Sequence, residues 1–391
     1  MSSQYGSTAD HLGTLPFDHA AMSNVCTHKS ASCFVVCAVY RHIGHAGQIT
    51  VESQLNTSHH ITMGMHTSTL PLVDISPFLS TSPPDEEGKV RTAKEIFAAC
   101  STVGFFYLVN HGIPASLTDS ILSLGKDFFL NSSLEEKTAI IRQKVGEGHG
   151  DGARGWQPLR DNVTMGKRDW QEAVDFYREH DEANGDGSGN SPPYEILMGK
   201  NLWPQRPEDL KGTFEEYIER MLELGKAVLR AMSAALQAGN DDLFIRSTKK
   251  SFWGMRLIGY IPIPEAETAS SEDDSDDDGI SCGEHTDYGC VTLLLTDSIK
   301  GALQIRPQSQ PDSWINADPV PGAFVVNIGD MMERWTNGMW RSTPHRVVHR
   351  GQEFRTSIPF FYEPDLEARY VKSRTLIDSG WKWLILMTMT T

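Results

Sequence analysis

Three side chains set the chemical question. His285 and Asp287 stand two apart in Gly283-Glu-His-Thr-Asp-Tyr-Gly289. In an extended strand such positions point to the same side, so one imidazole and one carboxylate converge without special geometry. His345, in Ser342-Thr-Pro-His-Arg-Val-Val348, supplies a third donor from another strand. Two imidazoles and a carboxylate on one side of an ion leave three positions open, which suits non-haem Fe(II) oxygen chemistry. Zinc more often takes a closed or singly open tetrahedral site. His349 would share the strand face of His345 and is a rival ligand. Beyond it, Arg355 and Ser357 again fall on one face. A guanidinium fork beside a hydroxyl is a receptor for a carboxylate.

These residues need strands to carry them. After Phe252, short β-like runs follow at 252–261, 290–295, 302–306, 313–316, 322–328, 345–349 and 354–362, separated by Gly, Pro, Asn and Asp. Many short strands so spaced predict a sandwich or barrel. The preceding part reads differently. Leu70–Ile75 and Gly104–Val109 are strand-like, while Val90, Ala93, Phe97 and Cys100 repeat at helical spacing. Leu117, Ile121, Leu124 and Phe128 mark a second helix with Pro114 near its start. Pro207 opens a long helix to about Leu236, with Leu210, Phe214, Tyr217, Met221 and Leu224 on one side. The expected fold class is mainly β with flanking helices, a jelly-roll (double-stranded β-helix) core preceded by a helical N-terminal region.

Composition bounds the function. Of 391 residues, 39% are hydrophobic and 33 more are Gly, an ordinary share for a chain that buries a core. The net charge of −16 argues against a nucleic-acid binder, which needs a basic face, and against docking on anionic membrane. The longest apolar runs, Cys33–Tyr40 and Trp383–Met387, fall well short of the roughly 20 residues that span a bilayer. No secretory signal is visible. Six Cys without paired metal spacing fit a reduced, cytoplasmic protein.

Residues 1–66 hold five charged side chains but eight of the 14 His and no persistent period. They read as a disordered extension, or as sequence upstream of a native start at Met63 or Met65, rather than as a metal-capturing tail. Residues 69–240 form an N-terminal helical/β region, 250–365 the β core and 366–391 an atypical tail. The loop at 181–193 and the acidic run Ser271–Asp278 read as solvated segments. Asn327 and Trp335 fall in turn-like stretches, and Cys290 reads as a small buried residue.

Residues 283–364 resemble the isopenicillin N synthase-like group of 2-oxoglutarate/Fe(II)-dependent dioxygenases, through GEHTDYGCVTLLL, GALQI, PVPGAFVVNIGDMMERWTNGMWRSTPHRVV and RTSIPFFYEP. LPLVDISPFL, CSTVGFFYLVNHGIP and RGW at Arg154–Trp156 extend the resemblance over residues 69–365. It implies His285, Asp287 and His345 as Fe(II) ligands, and Arg355, Ser357 and Tyr260 around the distal carboxylate of 2-oxoglutarate. Ile258 stands where the family often has Asn. It further implies a small-molecule substrate oxidised with O2 by hydroxylation, desaturation or ring closure, release of succinate and CO2, and ascorbate as a candidate reductant. Arg154, Trp156 and Phe361 are candidates to face the substrate, with core packing the equal alternative for the two aromatics. The alternative functions are an iron oxidase of the same family that uses no 2-oxoglutarate, and a catalytically impaired metal-binding relative. Substrate identity and oligomeric state are open.

Overall fold

Runs such as Phe105-Phe-Tyr-Leu-Val109 and Phe324-Val-Val-Asn-Ile328 are bulky on both parities, as strands covered on two faces must be. The computed structural model describes residues 70–79, 83–144, 152–179, 197, 199–236, 243–263, 280–366 and 368. The extension at 1–66, the loop at 181–193, the acidic run and nearly all of the tail lie outside these residues.

The strands are β1 (Leu72–Asp74), β2 (Phe105–Val109), β3 (Gly155–Gln157), β4 (Val163–Thr164), β5 (Lys167–Arg168), β6 (Glu172–Tyr177) and β7 (Gly254–Tyr260) in the first part. They continue with β8 (Ile280–His285), β9 (Val291–Thr296), β10 (Leu303–Ile305), β11 (Ile315–Asn316), β12 (Phe324–Ile328), β13 (His345–Val348) and β14 (Arg355–Tyr362). The helices are α1 (Glu86–Thr102), α2 (Ala115–Asn131), α3 (Leu134–Thr138), α4 (Leu210–Ala235) and α5 (Asp330–Trp335). An eight-stranded sheet runs β1-β2-β12-β9-β14-β7-β6-β3, and a four-stranded sheet runs β11-β10-β13-β8. The N-terminal helical/β region thus contributes four strands to the larger sheet.

Side-chain alternation sorts the large sheet into two faces. Met255, Leu257, Leu293, Ile358, Phe360 and Tyr362 join the apolar cluster formed with α1, α2 and α4. The other parity, including Phe105, Tyr107, Ile258, Tyr260 and Val325, meets Leu303, Ile305 and Val347 of the smaller sheet. The helices therefore buttress one face and leave the other to enclose a cavity between the sheets.

Helix ends follow local chemistry. Asp85 caps α1 by accepting from the Gly88 amide, with Glu86 and Glu87 in the first turn. Ser133 and Glu136 form a reciprocal capping box on α3. In α4 the expected stripe of Leu210, Phe214, Tyr217, Met221 and Leu224 is buried. In α1 the stripe is rotated: Val90 is 56% exposed, while Ile96 and Ala99 are buried with Ala93 and Cys100. The small side chains of α1 let it lie close to its neighbours, which four spaced apolar letters do not reveal.

Gly225 of α4 lies against β14, and a Cβ there would run into the Tyr362 ring. Gly212, in the same helix, has open space around it. Gly212→Ala should raise stability by about 1 kcal/mol through helix propensity. Gly225→Ala should lower it by roughly 1–3 kcal/mol, because overpacking outweighs the same gain. Urea midpoints of the two variants check this, and equal shifts would contradict the packing.

Candidate metal centre and cavity

His285 closes β8, and Asp287 lies two residues past the strand end in an irregular segment. Convergence therefore does not rest on strand alternation, as the spacing suggested. It rests on pairing: β13 runs antiparallel to β8 with His345 opposite His285. The two rings sit 4.3 Å apart between centroids. Asp287 Oδ1 lies 3.9 Å from His285 Nε2 and 3.7 Å from His345 Nε2. One donor atom from each residue falls within 4.8 Å of the others.

Each ring is oriented by its second nitrogen. His285 Nδ1 is 2.8 Å from the Gly283 carbonyl and His345 Nδ1 is 3.1 Å from the Thr343 carbonyl. A ring donating through Nδ1 leaves an Nε2 lone pair for a metal. Burial, and next the neighbouring His285, push His345 down to about 4, so it is neutral at ordinary pH. For Asp287, burial favours the protonated form. The two imidazoles and hydrogen bonds from Asn327 and Thr292 outweigh it and hold the carboxyl below its usual value. Those bonds run to the other oxygen, Oδ2, from Asn327 Nδ2 at 2.7 Å and Thr292 Oγ1 at 2.5 Å. Asn327, which reads in sequence as turn chemistry, is thus a positioning residue. His349 is not part of the cluster: its Nε2 lies 2.7 Å from the Glu353 carbonyl.

The cavity, of about 170 Å³, reaches from this cluster to Arg355, Ser357 and Tyr260. Arg355 is 1% exposed. It sits opposite Tyr260 across β14 and β7, with the guanidinium 4.7 Å from the ring centroid. Nη2 donates to Thr296 Oγ1 at 3.1 Å, while Nε and Nη1 are buried with no hydrogen-bond partner among the described residues. Orphaned charged donors in a dry wall are costly, and a ligand carboxylate would complete them. Ile258 lines the same cavity.

At the other end, Phe361 faces the cavity, as do Tyr177, Phe252, Tyr288 and Glu363. Arg154 and Trp156 are not among its lining residues. Arg154 stacks on Tyr177 at 5.6 Å and donates to the Arg178 carbonyl. Trp156 belongs to the helix-side core, its Nε1 donating to Glu172, which also pairs with Lys137. Trp156 thus takes the core-packing place, on β3 at the edge of its sheet with β6 between it and β7, and Arg154 immediately precedes that strand. Cys290 is buried, as expected, and burial pushes its thiol well up.

Two features went unread in the sequence. Arg256 grips both oxygens of buried Asp175, at 3.1 and 2.9 Å, across paired positions of β7 and β6. Glu363 accepts the Cys290 amide at 2.9 Å. Extending the parity of Arg355, Ser357 and Phe361 would have found Glu363.

Residues 70–206 match the family described as the non-haem dioxygenase in morphine synthesis N-terminal region, and residues 260–364 match the 2OG-Fe(II) oxygenase superfamily. A homoarginine-6-hydroxylase of Glycine max is 36% identical over 304 residues, 77% of this chain and 87% of that protein. The 2-oxoglutarate-dependent dioxygenase citB of Monascus ruber is 30% identical over 327 residues, 80% of this chain and 89% of that protein. Among solved structures, a full-length Neurospora crassa protein in complex with alpha-KG superimposes with a TM-score of 0.63 at 26% identity, covering 81% of this chain and 93% of that one. Fold and relatives together define a jelly-roll oxygenase. The chain belongs to the 2-oxoglutarate/Fe(II)-dependent dioxygenase family, and its activity is that of an oxidoreductase using Fe(II) and 2-oxoglutarate on a small molecule. The two-imidazole, one-carboxylate donor set and the orphaned Arg355 donors fit both groups.

Burial pushes Glu363 up from its ordinary 4.5 to about 8, against the Cys290 amide and with the charge of Asp287 adding. The folded metal-free chain therefore keeps a proton that the unfolded chain has released, and stability falls as pH rises across that window. Relative to Glu363→Gln, the wild type should lose a few kcal/mol between about pH 5 and pH 8. Parallel pH dependences of the two urea midpoints would refute this burial effect.

Proposed function

We propose that His285, Asp287 and His345 hold the iron, that Arg355 with Ser357 and Tyr260 holds the distal carboxylate of 2-oxoglutarate, and that the substrate is a small amino acid with a basic side chain. The carrying observation is the coexistence, in one cavity, of the three-donor cluster and a buried guanidinium with two unused donors. The amino acid follows from the relatives named for homoarginine 6-hydroxylation. Hydroxylation of an aliphatic carbon is the transformation we assign.

When bound, Fe(II) and 2-oxoglutarate supply with O2 an oxidant able to take hydrogen from an unactivated C–H bond, leaving succinate and CO2. The protein's residues do the positioning. The Gly283 and Thr343 carbonyls fix the imidazoles, and Asn327 with Thr292 turns Asp287 Oδ1 towards them. The apolar walls at Phe105, Leu294, Leu303 and Val347 exclude water from this end of the cavity. Phe361 and Tyr177 bound the space left for substrate. We place the reaction in the cytoplasm, with neither nucleic acid nor membrane as partner. The charge of −16 supports this, and no helix among the described residues is long and apolar enough to cross a membrane.

A relative from Dictyostelium discoideum named 1-aminocyclopropane-1-carboxylate oxidase, 30% identical, keeps a second transformation in view. Succinate formed in step with L-homoarginine consumption supports the hydroxylase; consumption without succinate overturns the role of 2-oxoglutarate. Arg355→Ala breaks a buried charge pair, a loss of about 3–5 kcal/mol, or on the order of a hundredfold to several thousandfold in 2-oxoglutarate affinity. Anaerobic calorimetry measures it, and an unchanged affinity would remove Arg355 from the site.

A further inference from the structure

We propose that Glu363 is the cation-binding residue of the substrate site, receiving a guanidinium or primary ammonium group at the end of the cavity away from Arg355. The proposal rests on the amino-acid oxygenase reading above and adds the group that selects the substrate.

β14 presents Arg355, Ser357, Pro359 and Phe361 to the cavity, and Glu363 continues that face just past the strand. The side chain is 7% exposed. A Cβ on Gly289 would collide with its carboxyl, so the chain leaves room for this acid. One oxygen accepts the Cys290 amide. No Lys, Arg or His pairs with Glu363 among the described residues.

The other carboxylates of the cavity have their counter-charges. Asp175 is held by Arg256, and Asp287 faces two imidazoles and the metal position. Among the described residues that line the cavity, Glu363 is the carboxylate left for a ligand to complete. A buried carboxylate without a counter-charge is unfavourable, and burial accordingly favours its proton. An arriving cation reverses that preference. Aromatic walls suit the same ligand: Tyr177 and Phe252 stack at 5.7 Å with 12° between planes, and they line the cavity with Tyr288 and Phe361. Ring faces attract weakly hydrated cations.

The test pairs each cationic probe with a neutral counterpart of similar shape: L-homoarginine with L-homocitrulline, and L-lysine with L-norleucine. Binding is measured by anaerobic calorimetry on the protein loaded with Fe(II) and 2-oxoglutarate, and succinate formation is measured in air. In the wild type, at least one cationic probe should bind about 10- to 100-fold tighter than its counterpart, the worth of a charge-assisted contact. In Glu363→Gln, which can still accept the Cys290 amide, that ratio should collapse to near one; Glu363→Asp should restore part of it. The ratio is taken within one preparation, so partial unfolding cancels. A Glu363 that merely supports the Cys290 loop would weaken both members alike and keep the ratio, which overturns the proposal. A wild type that binds cationic and neutral members equally overturns it without any variant. Discrimination in binding without succinate would sink the oxygenase reading and leave Glu363 standing; succinate without discrimination would do the reverse.

Discussion

A carboxylate buried beside two imidazoles is the constraint on which this molecule turns. Asp287 lies beyond the end of its strand, in backbone that offers no pleat to aim it. Its orientation comes from dividing its two oxygens between different tasks. Oδ2 is tied to Asn327 on β12 and Thr292 on β9, and Oδ1 is left towards the rings carried by β8 and β13. The arrangement needs both sheets at a fixed separation, because its hydrogen-bond donors come from one and its imidazoles from the other. The side chains packed between the sheets, among them Phe105, Tyr107, Ile258 and Val325 against Leu303, Ile305 and Val347, set that separation. A cluster assembled from two layers keeps its geometry only while the layers keep theirs.

The charge pattern along the cavity follows from the same layering. Its wall is mostly apolar, so every ionised group in it needs a partner near at hand. Arg256 and Asp175 neutralise each other across adjacent strands, with Gln157 donating to the same carboxylate. Arg355 and Glu363 are not neutralised in this way, and they stand at opposite ends. The interior is therefore polarised along β14, with a spare positive group at one end and, at the other, a spare acid on the side of Asp287. On the proposed assignment, that asymmetry orients a bound pair of small molecules.

Much of this was legible in the sequence, because period-two alternation is a local property of an extended chain. Arg355, Ser357 and Phe361 do share the cavity face of β14. The long helix showed its buried stripe because large apolar residues line it. What failed, failed where tertiary context decides. Val90 fits a helical period yet faces out, since small residues form the contact face of α1. Trp156 and Arg154 sit in a stretch that resembles the family, yet neither lines the cavity, because strand order is not written in any one segment. Asn327 looks like a turn residue until Asp287 is placed beside it. The run at 280–285 does not read as a strand, because Ser281, Gly283, Glu284 and His285 give it no sustained apolar alternation. It gains its strand by pairing with β13.

One consequence of β14 concerns regiochemistry. Arg355 and Glu363 are carried by a single extended segment, eight residues apart, which at about 3.3 Å per residue is roughly 26 Å. Pinned between β7 and β9, that segment works as a ruler rather than a hinge. On the proposed assignment the cosubstrate is anchored at one end and the substrate cation at the other, so the carbon that comes to rest over the iron is counted from the charged group. A homologue shorter by one methylene would then be oxidised at the carbon the same number of bonds from its charged group, and one fewer from its α-carbon.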